Sequence, residues 1–111
     1  MTYWVRYHLR YLRMWREAAR AVAEAVKSLG LRARVYVIGS IAEGKHTVLS
    51  DVDVLVCLEE EVPDPRRVKH MILEEAFDRH GLPLYYPIDL HVAGPGECRE
   101  ILSRGRHVRI Y

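Results

Sequence analysis

The segment Gly39-Ser40-Ile41-Ala42-Glu43-Gly44, then five residues, then Ser50-Asp51-Val52-Asp53, constrains this chain more than any other. It joins a glycine-marked turn to two carboxylates spaced two residues apart. A strand-like run, residues 34–38, leads straight into the turn, and a second apolar run leaves from the acids. Such a turn suits an anion such as phosphate, and the carboxylates suit the divalent cation that accompanies it. Together they point to a site for a nucleoside triphosphate.

The pattern on either side gives the order of elements. Apolar positions Trp4, Tyr7, Tyr11, Trp15, Ala18, Val22, Val26 and Leu29 recur every three or four residues, predicting a long amphipathic helix over 3–29, ended by Gly30. Its aromatic first half either covers the sheet or packs against another chain. Residues 34–38 form the first strand, a short helix runs from Ser40 to near Gly44, and residues 52–58 form the second strand. Asp64 caps and Pro65 opens a second long helix that ends at Gly81. Residues 84–92 read as a third strand, Pro87 marking an edge position or a late start. A short helix over 97–103 and a last strand within 106–111 follow. The expectation is a single domain over residues 1–111, of α/β (α+β) class, with a small mixed sheet flanked by helices.

Half the residues are hydrophobic and 29% are charged, a soluble globular composition. The apolar run 54–58 is far too short to cross a bilayer, and no signal segment is evident, so a cytoplasmic protein is expected. Residues 1–34 hold eight Lys and Arg against two Glu, whereas the rest holds nine against thirteen acids. The basic helix is read as a solvated face or a dock for an acidic partner rather than a nucleic-acid surface. Cys57 and Cys98 lack metal-site spacing. Cys57 reads as a small buried hydrophobe, with a disulfide open to a chain from a hot-living source. The absence of Asn and Gln and the excess of Arg over Lys fit such a source.

Strand alternation points Asp51 and Asp53 the same way, about 6.6 Å apart along the backbone. Hard oxygen ligands of this kind suit Mg²⁺, which shares its shell with water and substrate phosphates. Gly39 lets the backbone approach a ligand, and Ser40 stands where a helix start offers free N–H groups to an anion. Asp89, within Ile88-Asp89-Leu90-His91-Val92, is read as an acid of an inner strand, costly there without a partner. Beside Asp51 and Asp53 it completes a cluster for two metals and is the natural general base. His91, on the same face as Asp89, is read as a half-buried space-filling ring, the alternative being that it orients or pairs with that carboxylate. Lys45 and His46 are read as solvated loop residues, and Arg104, Arg106 and Arg109 as an unspecific site for a polyanion.

With Gly-Ser-x-Ala-x-Gly, five residues and Ser-Asp-x-Asp present without a gap, and a third Asp in Ile-Asp-Leu-His-Val, the chain resembles the minimal nucleotidyltransferases of the DNA polymerase β superfamily. The Arg104-Gly105 turn and the closing Val-Arg-Ile-Tyr are similar as well. The resemblance implies that Gly39 and Ser40 contact ATP or another nucleoside triphosphate and that Asp51, Asp53 and Asp89 hold two Mg²⁺ ions. Many members carry Arg on one or both sides of the Ala, where this chain has Ile41 and Glu43. Domains of this size resemble the antitoxin half of a pair with a helical HEPN-family protein, some transferring AMP to a tyrosine of that partner. The alternative is a catalytically weak binding module that neutralises its partner by contact, in a homo- or hetero-oligomer.

Overall fold

The chain was analysed as a computed structural model that describes residues 14–45, 51–83 and 86–111. The aromatic and basic positions expected between Trp4 and Arg13, together with His46 and Ser50, lie outside the described residues. The elements are α1 (Trp15–Ser28), β1 (Ala33–Ile38), α2 (Gly39–Ala42), β2 (Val52–Leu58), α3 (Pro65–Arg79), β3 (Ile88–Ala93), α4 (Pro95–Ser103) and β4 (Val108–Arg109).

α1 is rich in Ala, the best helix former, and it buries Ala18, Ala19, Val22, Ala25 and Val26 against the sheet. It ends where expected. Gly30 has a φ of 69°, Leu31 N–H donates to the Val26 carbonyl, and Gly30 N–H donates to the Lys27 carbonyl. That pair of bonds is the Schellman closure, which a left-handed glycine makes possible. In α3 the Asp64 carboxylate accepts a bond from the Arg67 N–H at 3.3 Å, with Pro65 in the first turn. Ser28 Oγ and His80 Nε2, 3.1 Å apart, tie the ends of α1 and α3 together.

The strands form one mixed sheet in the order β3-β2-β1-β4. β1 is antiparallel to β2 and to β4, while β2 and β3 run parallel through the α3 crossover. A parallel pair needs such a long connection, whereas antiparallel β1 and β2 do not. β2 is central and buried on both faces. Val52, Val54 and Val56 meet α1 and α3 in the main core, with Val35, Val37, Ile72 and Leu90. Leu55 and Cys57 point to the opposite face, where α4 packs through Cys98, Ile101 and Leu102. Each fully buried aliphatic side chain of this kind contributes about 1.5–3 kcal/mol.

Three expectations are corrected here. β3 begins at Ile88 rather than 84, because Pro87 cannot donate to the ladder and instead its carbonyl accepts from Val52 N–H at 2.7 Å. β3 is an edge strand, as one reading of Pro87 had it, so Asp89 does not sit in an inner strand. α4 begins at Pro95, two residues before the expected start, because proline is well placed in a first helical turn. Cys57 is buried as expected, yet it is bonded to Cys98, and among the described residues no free cysteine remains. The pairing closes β2 onto α4 across a sequence separation of 41, with Cα atoms 5.7 Å apart. No helix among the described residues is long and apolar enough to cross a membrane.

Candidate active site

Alternation and register together build the site. On the α4 side of the sheet, Asp89, Asp53 and Ile38 lie across one row, and His91, Leu55, Tyr36 and Arg109 across the next. Ala93, Cys57 and Arg34 form a third row. The disulfide sits over that third row, and α4 runs on from it across the face, Ile101 and Leu102 joining the cluster of Tyr36, Leu55 and Ile38. Asp53 is half-buried, while the Asp89 carboxylate and the His91 ring are each about half exposed, 48% and 47%.

Asp53 and Asp89 are direct cross-strand neighbours on parallel strands. His91 Nε2 stands 3.3 Å from Asp89 Oδ2. Among the described residues, Asp53, Asp89 and His91 are the group whose donor atoms all fall within 4.8 Å of one another. Asp51 is not in that group. It precedes β2 by one residue and is exposed, although its charge is still felt at Asp53. His91 is corrected from a space-filling ring to an exposed side chain in contact with a carboxylate. The clue was in the sequence, since a spacing of two on a strand puts His91 on the face of Asp89.

The glycine turn lies against this group. Gly39 has a φ of 71°, which L side chains rarely adopt, and a Cβ there would run into Asp53 Oδ2. α2 therefore starts directly beside the half-buried carboxylate. The leading N–H groups of a helix have no partner within it, and no side chain caps this one. Gly44, φ 71°, closes the turn, and Lys45 N–H donates to the Ser40 carbonyl at 2.9 Å. Glu43 leans on the turn after α4, because a Cβ on Gly105 would come within 2.8 Å of its Oε1.

Electrostatics favour a cation here. Burial pushes the Asp53 carboxyl above its ordinary value, and the Asp89 charge adds to this; His91 opposes it and Asp51 adds a smaller push. A carboxylate whose charge is penalised by burial and by a like charge gains most from a bound cation. The donor set of two carboxylates and one imidazole thus fits a divalent metal. Arg109 shares the face, but its Nε donates to the Tyr111 carbonyl at 3.3 Å, and Arg104 lies 3.9 Å from Glu100. Arg66 and Lys69 on α3 line, with His91 and Glu97, a groove of about 190 Å³ that neither Asp53 nor Asp89 borders.

A four-stranded mixed sheet with a glycine turn at the end of one strand, and carboxylates paired on the next two, defines the nucleotidyltransferase architecture. Residues 19–109 match the nucleotidyltransferase domain family, and the chain belongs to that family. Its class of activity is therefore nucleotidyl transfer. Two solved structures share the fold. A candidate nucleotidyltransferase from Sulfolobus solfataricus superposes with a TM-score of 0.66 at 20% identity, over 100% of this chain and 89% of that one. A second candidate nucleotidyltransferase gives 0.51 at 21% identity, over 83% and 91%. No curated protein matches the sequence.

Proposed function

We propose that the chain transfers AMP from ATP to a hydroxyl acceptor, a tyrosine of a helical HEPN-type toxin, and so acts as the antitoxin of a pair in the cytoplasm. One observation carries the transfer chemistry: Asp53 and Asp89 pair across adjacent strands while the Gly39 turn abuts Asp53. Asp51, Asp53 and Asp89 would hold two Mg²⁺ ions, which offset the triphosphate charge and stabilise the attacking and leaving oxygens. The first turn of α2, at Gly39 and Ser40, offers N–H groups to phosphate oxygens. Asp89 accepts the proton of the acceptor hydroxyl. That oxygen bonds to the α-phosphorus, and the bond to the leaving pyrophosphate breaks.

The exposure of the site supports a macromolecular acceptor. Asp89 and His91 stand on an edge strand, about half exposed. A tyrosine on a folded partner can reach such a carboxylate without a pocket that encloses it.

Incubating the protein with labelled ATP, Mg²⁺ and its co-purified partner is expected to label a tyrosine of that partner, and Asp53→Ala to abolish the label. Absence of label with the partner, or labelling that survives Asp53→Ala, overturns the reading. Neutralisation that persists without labelling points to a binding module instead.

A further inference from the structure

His91 is the one donor in the cluster to which nucleotidyl transfer by three carboxylates assigns no task. It lies two residues beyond Asp89 on β3, in the row of Leu55. Its Nε2 is 3.3 Å from Asp89 Oδ2, and one donor atom each of Asp53, Asp89 and His91 lies within 4.8 Å of the other two. In an octahedral shell with bonds of about 2.1 Å, adjacent donor atoms lie about 3 Å apart and opposite ones about 4.2 Å. His91 and Asp89 already stand near the spacing of adjacent donors, and a rotation of the Asp53 side chain would bring the third donor into the same shell.

An exposed Asp–His ion pair alone would hold its geometry weakly. Here a half-buried carboxylate from the neighbouring strand converges on the same point, and its charge is disfavoured where it stands. Among the described residues, Asp89 is the one group in ion-pair distance of the imidazole.

We propose that His91 is a metal ligand alongside Asp53 and Asp89, so that one of the two ion positions given above to Mg²⁺ prefers a first-row transition ion. The inference rests on the reading of the two carboxylates as metal ligands. A nitrogen donor suits the later first-row ions, whereas Mg²⁺ is best served by oxygen alone. The open positions of the shell remain for water and phosphate oxygens.

The test uses the full chain, with Co²⁺ and Mg²⁺ as the probes and no nucleotide. His91→Ala is expected to weaken Co²⁺ binding by about tenfold or more while Mg²⁺ affinity stays within about twofold. In the Co²⁺-loaded wild type, proton NMR should show hyperfine-shifted imidazole ring resonances that are missing in His91→Ala. The exposed ring can be removed without opening the core, and an unchanged melting temperature checks this. Equal losses for the two ions, an unchanged Co²⁺ affinity, or shifted ring resonances that persist in His91→Ala each overturn the proposal. If Asp53→Asn and Asp89→Asn leave both affinities intact, the carboxylate reading itself has failed, a result distinguishable from failure at His91 alone.

Discussion

The space that a side chain at position 39 would need is occupied by the Asp53 carboxylate. Gly39 combines a left-handed backbone with a Cα that Asp53 Oδ2 approaches too closely for any Cβ. Turn and acid, separated in sequence by the loop before β2, are thereby one object.

Gly39→Ala is expected to cost more than Gly44→Ala. Both glycines have a φ of 71°, so both variants bear the left-handed penalty of about 1–2 kcal/mol. Nothing lies within 4 Å of a Cβ at Gly44, whereas at position 39 Asp53 must move. Urea unfolding should separate the two, and only Gly39→Ala should weaken divalent-ion binding. Equal losses with binding intact would remove the contact from the account.

Asp53 gives a pH dependence with a definite sign. Its carboxyl is raised above 3.8 by burial first, then by Asp89. A group raised on folding contributes stability below its unfolded value and loses that contribution as pH climbs through the folded one. Without divalent ions, the wild type should lose stability relative to Asp53→Asn as pH rises from about 4 towards neutral. A difference independent of pH would show that the charge at Asp53 is not penalised.

Tyr86 should titrate late. Burial, and secondarily the Glu17 charge, push it up to about 12 from 10.0. The neutral phenol therefore favours the fold fully below pH 10, and that contribution is lost as pH rises through about 12. Ultraviolet titration of wild type and Tyr86→Phe should differ by one phenol ionising in that upper range. A difference already complete near pH 10 would contradict the burial.

The disulfide should matter to stability. Closing a loop with a sequence separation of 41 removes chain entropy worth roughly 4 kcal/mol from the unfolded state. The double variant Cys57→Ala/Cys98→Ala, and the wild type under reductant, are expected to lose a similar amount in chemical denaturation. A reductant without effect on the wild type would show that the two sulfurs are not bonded.

The elements were legible where single residues punctuate the chain. Gly30 and Gly81, both left-handed, and Asp64-Pro65 bound the helices because few other residues can do so. The strand period likewise put Val52 and Val54 inward. Asp51 shows the limit of that rule: it shares a period with Asp53 but precedes the strand by one residue, where the ladder does not govern its direction. Pro87 signalled the edge position of β3, yet the inner place given to Asp89 disagreed with it, because strand order is not encoded in local pattern. The Cys57–Cys98 bond was left open rather than decided, because β2 and α4 meet only in the finished fold.

The parallel pairing of β2 with β3 also sets when the site comes into being. Asp53 can meet Ile38 through a short antiparallel connection, but it meets Asp89 only after the whole of α3 has crossed the sheet. Contacts of that range form late, since they close the larger loop. A chain still emerging from the ribosome can own the glycine turn and one acid, yet it lacks the second until β3 has been synthesised and docked. The carboxylate pair is therefore a property of the finished sheet alone, absent from any copy that lacks β3.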